Sequence, residues 1–196
     1  MSEGGSHFEE DNKVFQSLRR IAERLNGLGI PYAVVGGMAL FFHGYRRFTE
    51  DVDLLVTKDN LKIIHEKLEG LGYYPPFQNS KHLRDAQTGV KIEFLTTGDF
   101  PGDVKPKPVS FPNPSDAYVE IRGIKFIRLP LLMEMKLASG MSNINRSKDL
   151  GDVVEMIKAL GLPENLGEEL NPYVRNKYAE LWVASSAPGL SDTMPE

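Results

Sequence analysis

The chain has 196 residues, 41% of them apolar and 26% charged, with a formal net charge of −4 and no cysteine. That length suits one domain, or one domain with a small helical appendage, and it is enough to bury a sizeable core. The charge argues against holding nucleic acid by bulk electrostatics, and the missing thiols exclude disulfides and thiolate metal sites.

In chain order, residues 1–10 and 186–196 offer little that packs and are expected to lack regular structure. Residues 11–28 place Val14, Phe15, Leu18, Ile21, Leu25 and Leu28 at steps of three and four, which predicts an amphipathic helix with Asp11 as its cap. "YAVV" at 32–35 reads as a strand. "MALFFHG" then reads as a short helix closed by Gly44. A second strand, "DVDLLVT", leads into the helix "KDNLKIIHEKLEGLGY", capped by Asp59 or Asn60.

"KHLRD" and "GVKIEFLTT" flank the turn-prone "AQTG" as a hairpin, with Val90, Ile92 and Phe94 on one face and Lys91, Glu93 and Leu95 on the other. Five prolines between residues 100 and 114 predict a surface loop or lid. A second hairpin turns at Arg122-Gly123, and the chain is helical beyond Pro130. The expected layout is an α+β or α/β core over 11–128 and a C-terminal helical section over 129–185. Phe41, Phe42, Tyr73 and Tyr74 are expected in the core, and His43 in a structural role.

The chemistry concentrates at residues 34–56, "VVGGMALFFHGYRRFTEDVDLLV". Asp51 and Asp53 are two apart on a strand, so both project from one face. Neighbouring carboxylates repel unless a cation lies between them, one is protonated, or both reach solvent. Hard oxygen donors at this spacing suit Mg²⁺, which takes one or two carboxylates and completes its shell with phosphate oxygens. Gly36-Gly37, after a strand and before a helix, lacks β-carbons, so backbone N–H groups can approach a phosphate.

This order of motifs resembles the nucleotidyltransferase superfamily that includes DNA polymerase beta: an apolar strand, a glycine turn, a short helix, a strand bearing Asp-x-Asp, and a later third carboxylate. Within it, "GGMALFFHGYRRFTEDVDLLV" followed by "KLASGMSNINRSKDLGDVVEMI" is similar to the abortive-infection (AbiEii-type) branch, which includes type IV toxin–antitoxin toxins. The resemblance covers residues 34–160. It implies an α+β (α/β-like) fold with a mixed β-sheet flanked by helices and a C-terminal helical section.

It also implies the activity, a transfer of a nucleoside monophosphate from an NTP to a hydroxyl on RNA (tRNA included), protein or a small molecule. Asp51, Asp53 and Glu93 would hold two Mg²⁺ ions, Mn²⁺ being an alternative. Catalytic roles fall to Asp51, Asp53, Glu93 and Lys136, and nucleotide binding to Gly36, Gly37, Arg47, Thr49, Arg146, Lys148 and Asp149. A cognate antitoxin is a further expected partner, with a cytoplasmic location and no membrane. The family usually carries Asp as the third carboxylate, and here the strand supplies Glu93. That departure motivates an alternative, a catalytically degenerate domain that binds nucleotide or a partner without turnover. The bland role for Glu93 is an ion pair with Lys91 or Lys125.

Overall fold

The computed structural model describes residues 12–186. They form two compact units. The first comprises residues up to Asp99 together with Ser110–Leu132, and the second comprises Phe100–Val109 together with residues from Met133 onward.

The first unit opens with helix α1 (Lys13–Gly27), capped by Asn12, whose side chain accepts the Val14 N–H. The expected cap, Asp11, lies outside the described residues. The apolar stripe behaves as its spacing predicts, since Leu18, Ile21 and Leu25 are fully buried. Strand β1 (Ala33–Val35) runs directly into α2 (Gly36–Phe42). That helix starts two residues earlier than the sequence suggests, so the glycine pair forms its first turn. Then come β2 (Asp51–Val56) and α3 (Lys58–Leu68). The cap of α3 is Thr57, whose hydroxyl accepts the Asn60 N–H, and Asp59 sits in the first turn instead.

A two-residue strand, β3 (Tyr73–Tyr74), was not foreseen. It pairs with β4 (Leu83–Asp85), which forms the expected hairpin with β5 (Lys91–Thr96). Strands β6 (Tyr118–Ile121) and β7 (Ile124–Ile127) form the second hairpin. Arg122 at φ 52° and Gly123 at φ 77° supply the two positive φ values that let a tight turn follow the strand twist.

These strands make one mixed sheet in the order β3-β4-β5-β2-β1-β7-β6. Strand β2 runs parallel to β5 and antiparallel to β1. Register partners share a face and neighbours along a strand alternate. Val34, Leu54, Phe94 and Phe126 therefore lie on one face, and Asp53 and Glu93 on the other. The apolar face is covered in part by α3, whose His65 ring meets Phe94, and by α2, whose Phe42 stacks on Phe126. Helix α1 is tied to β4 by the Arg20–Asp85 ion pair at 2.5 Å. His43 has the expected structural role, its Nε2 2.7 Å from the Ile127 carbonyl. Tyr73 is buried as expected. Tyr74, on the opposite side of so short a strand, is 46% exposed.

Helix α4 (Leu129–Ser142) leads into the second unit, which continues with α5 (Ser147–Leu160), the unforeseen short α6 (Leu166–Glu169) and α7 (Pro172–Ser186). Residue 186, expected to lack structure, closes α7, and the rest of that tail lies outside the described residues, as do 1–10. The proline-rich segment has no helix or strand between residues 100 and 113. Its first part is held within the second unit. Lys107 Nζ donates to the Pro101 carbonyl and to Asp103, and Asn171 Nδ2 to the Pro108 carbonyl. Among the described residues no helix is long and apolar enough to cross a membrane.

Candidate active site

Strand β2 is apolar except for its first and third residues. Asp51 and Asp53 are half-buried while Val52, Leu54, Leu55 and Val56 are buried. Period two puts both carboxylates on the same face, with Cα atoms about 7 Å apart. The parallel pairing then sets Lys91 beside Asp51 and Glu93 beside Asp53. On β5 the acid and the base meet, with Lys91 Nζ donating to Glu93 Oε2 at 2.5 Å. Glu93 is thus engaged by Lys91, one of its two expected partners. Lys125 instead lies over the Tyr32 and Tyr118 rings.

The glycine pair completes this corner. Gly36 has φ +60°, and a β-carbon there would fall 1.9 Å from Asp53 Oδ2. A β-carbon on Gly37 would fall 2.7 Å from the Thr49 β-carbon. Glycine is therefore required at 36 for both backbone and space, and at 37 for space. The close approach sets the Asp53 carboxylate against the backbone that opens α2, where first-turn N–H groups have no partner inside the helix. Thr49 is positioned by its own hydroxyl, which donates to the Asp51 carbonyl at 3.2 Å. Arg47 is half-buried in the irregular segment 45–50 that leads into β2.

Electrostatics tie these groups together. Burial opposes the charge on Lys91, but its hydrogen bond to Glu93 and the fields of Glu93, Asp51 and Asp53 outweigh this and hold its ammonium above the ordinary lysine value. Strand register gathers Asp51, Asp53 and Glu93 with Lys91 on one face of the sheet. Asp51 and Asp53 are the carboxylates that could hold a hard cation such as Mg²⁺. Among the described residues no three His, Asp or Glu side chains stand close enough to share one ion.

The second unit gathers other predicted residues. Lys136 on α4 is buried, with Nζ 2.8 Å from Asp149 Oδ1 and 2.7 Å from Asp152 Oδ2. Ser139 Oγ donates to Asp149 Oδ2 at 2.7 Å. Burial pushes the Asp149 carboxyl up, but Lys136, Ser139 and Arg146 together hold it below the usual carboxylate range. Arg146 and Lys148 are exposed. Ser147 is the first residue of α5, and no side chain caps that helix.

No family model matches the sequence, and no curated protein matches it by sequence. Solved structures do match. The crystal structure of an antigenic nucleotidyltransferase-like protein from Paracoccidioides brasiliensis shares 18% identity over 93% of this chain and 92% of that one, with a TM-score of 0.54. ANT(2")-Ia in complex with adenylyl-2"-tobramycin shares 11% over 87% and 95%, at 0.51. The solution structure of the antibiotic-resistance factor ANT(2'')-Ia shares 14% over 86% and 95%, at 0.53.

The fold is nucleotidyltransferase-like.

Within this nucleotidyltransferase-like fold one neighbour of the carboxylates escaped the sequence reading. Since Leu83 pairs with Ile92 and Arg84 with Lys91 in antiparallel register, His82 falls next to Glu93 at the mouth of β4. Its Nδ1 is buried with no hydrogen-bond partner among the described residues. Burial lowers the imidazole from its ordinary value, ahead of the opposing fields of Glu93 and Asp51. Only the strand register could reveal this neighbour, because histidine in "KHLRD" carries no local signature.

Proposed function

We propose that the chain is a Mg²⁺-dependent nucleotidyltransferase that moves a nucleoside monophosphate from an NTP to a hydroxyl acceptor on RNA, protein or a small molecule. The observation that carries this reading is the contact of Asp53 with Gly36, made while Asp53 stands in register with Glu93. It brings an aspartate, side-chain-free backbone and a glutamate into one corner of the sheet, which supports roles for them as metal donor, phosphate cradle and base.

In the proposed reaction the acceptor oxygen attacks the α-phosphorus, the bond from that phosphorus to the bridging oxygen breaks, and pyrophosphate leaves. Asp51 and Asp53 would hold the two divalent ions, which supply Lewis-acid neutralisation of phosphate charge when bound. The N–H groups at Gly36 and Gly37 would donate to phosphate oxygens, which only side-chain-free backbone can approach this closely. Glu93 would take the acceptor's proton, with Lys91 holding its carboxylate in place. Thr49 keeps the Gly37 backbone in position through its packing and its bond to the Asp51 carbonyl.

The remaining resemblance-derived roles enter as part of the same proposal. Arg47 would contribute positive charge toward the triphosphate, and the resemblance implies nucleotide-binding roles for Arg146 and Lys148 as well. Lys136 would act through Asp149 and Asp152, since both carboxylates engage its ammonium. A toxin–antitoxin role, with a cognate antitoxin, belongs to this reading as its biological setting.

The test is incubation with each α-³²P-labelled NTP and Mg²⁺, offering tRNA, total cell protein and a small-molecule hydroxyl panel as acceptors. Label should transfer to one acceptor class and vanish with Asp53→Ala. No transfer from any NTP to any class, or equal transfer by Asp53→Ala, overturns the proposal. Growth arrest on expressing wild type, relieved by Asp53→Ala, is the expected sign of a toxin.

A further inference from the structure

Two of the three histidines among the described residues are engaged. His43 Nε2 lies 2.7 Å from the Ile127 carbonyl, and His65 Nδ1 lies 2.5 Å from Glu69. His82 is different, because its Nδ1 is buried with no hydrogen-bond partner among the described residues. Such a nitrogen has given up water and gained no protein partner in return, so a ligand that supplies the bond is favoured there.

The position of this ring is fixed by the fold. Ser80, itself buried, accepts the His82 N–H through its hydroxyl at 3.0 Å, and the Ser80 N–H donates to the Phe77 carbonyl. The antiparallel register that pairs Leu83 with Ile92 and Arg84 with Lys91 sets His82 opposite Glu93. Burial follows the same alternation: Leu83 and Ile92 are fully buried, whereas His82, Arg84, Lys91 and Glu93 are half-buried. His82 and Glu93 therefore share the face that carries Asp51 and Asp53. Glu93 and Asp51 are close enough for their charges to act on the imidazole.

Asp53, Glu93 and His82 thus form a row across β2, β5 and the mouth of β4, with neighbouring strands about 5 Å apart. Gly36 meets Asp53 from the β1 side, at the other end of that row. In the proposed reaction, on which this step rests, the departing phosphates lie at the glycine end. Attacking and leaving oxygens stand roughly in line in phosphoryl transfer, so the acceptor approaches from the opposite side. Glu93 and His82 stand on that side. Opposed side chains of an antiparallel pair have Cβ atoms about 5 Å apart, so one acceptor molecule can meet both.

We propose that His82 binds the acceptor, its imidazole forming a hydrogen bond with a polar group beside the attacking hydroxyl. The hydroxyl oxygen bonds to the α-phosphorus, its proton goes to Glu93, and the bond from that phosphorus to pyrophosphate breaks. His82 holds the acceptor in place and takes no proton. The outer torsion of a histidine side chain is broad, so the ring turns at little cost to present its nitrogen. The acceptor is then a molecule with a second polar group next to its hydroxyl, such as a diol or an amino alcohol.

A split between the two substrates tests this. Label transfer from the α-³²P NTP is measured as a function of acceptor concentration, with tRNA, total cell protein and the hydroxyl panel each offered, and binding of the matching α,β-methylene analogue with Mg²⁺ is measured by equilibrium dialysis. His82→Leu should lower kcat/KM for the acceptor by about tenfold or more, while analogue binding and the KM for the NTP stay within about twofold of wild type. His82→Asn, whose amide places a hydrogen-bonding atom near the Nδ1 position, should recover most of the loss. An unpartnered nitrogen contributes no bond to the fold, so His82→Leu should melt no lower than wild type. Unchanged acceptor kcat/KM, weakened analogue binding, no recovery by His82→Asn, or a His82→Leu that melts well below wild type overturns the inference and leaves the proposed function standing. No transfer by wild type to any acceptor overturns the proposed function and this inference with it.

Discussion

Gly36 is the residue on which the site's geometry turns. Any β-carbon there meets Asp53 Oδ2 at 1.9 Å, and the φ of +60° adds backbone strain for any other residue. Gly36→Ala is expected to cost about 1–3 kcal/mol of stability and to abolish nucleotide transfer, because relief of the clash moves the carboxylate. Denaturant unfolding and the labelled-NTP assay check the two halves. Full transfer by a folded Gly36→Ala would contradict this placement of Asp53. The aspartates were legible in the sequence because two acids in an apolar strand violate the pattern around them. Alternation set the facing of Glu93, and its role as third carboxylate came from the resemblance. The pairing of Glu93 with Asp53 was not legible, since it depends on a parallel register between strands forty residues apart, with no local code. Lys91 shows the same limit: the sequence offers it as a partner of Glu93, but only the register brings it beside Asp51.

At the scale of elements, helix stripes and hairpin turns carried the sequence reading, and helix starts defeated it. Thr57, Asp59 and Asn60 are all good caps, and which one serves depends on where the backbone leaves the extended region. The start of α2 was misplaced because Gly36 enters it with a φ that only glycine adopts readily. Strand β3 has two residues, too few to show a period. Ion pairs between elements yield two predictions. Lys136→Met leaves Asp149 and Asp152 without their shared cation, and should destabilise the chain by about 3–5 kcal/mol in chemical unfolding. An unchanged midpoint would show that the network contributes nothing. The second concerns Arg20 and Asp85, which tie α1 to β4. Burial raises the Asp85 carboxyl, but Arg20, the Gln87 N–H and Ser17 outweigh it and hold it below the ordinary value. A depressed folded value means this stabilisation is present above the unfolded carboxylate value, about 3.9, and is lost as pH falls through the folded one. Melting temperature should therefore fall more steeply below about pH 4 for wild type than for Asp85→Asn. Parallel curves would remove Asp85 from the acid response.

For the whole molecule, the sequence reading and the fold agree on a nucleotidyltransferase-like architecture built on a mixed sheet, although residues 100–109 group with the C-terminal helices and not with the sheet. That grouping was not legible, because proline density predicts a loop without saying which unit holds it. The bond from Asn171 to the Pro108 carbonyl is a tertiary contact. The central claim is a nucleotide site at Asp51, Asp53 and Gly36, and equilibrium dialysis against α,β-methylene analogues of the four NTPs, with and without Mg²⁺, tests it most directly. The account predicts one analogue bound per chain, only with Mg²⁺, and at least tenfold weaker binding by a folded Asp53→Asn. Binding that ignores both Mg²⁺ and Asp53→Asn, or no binding of any analogue, would contradict it.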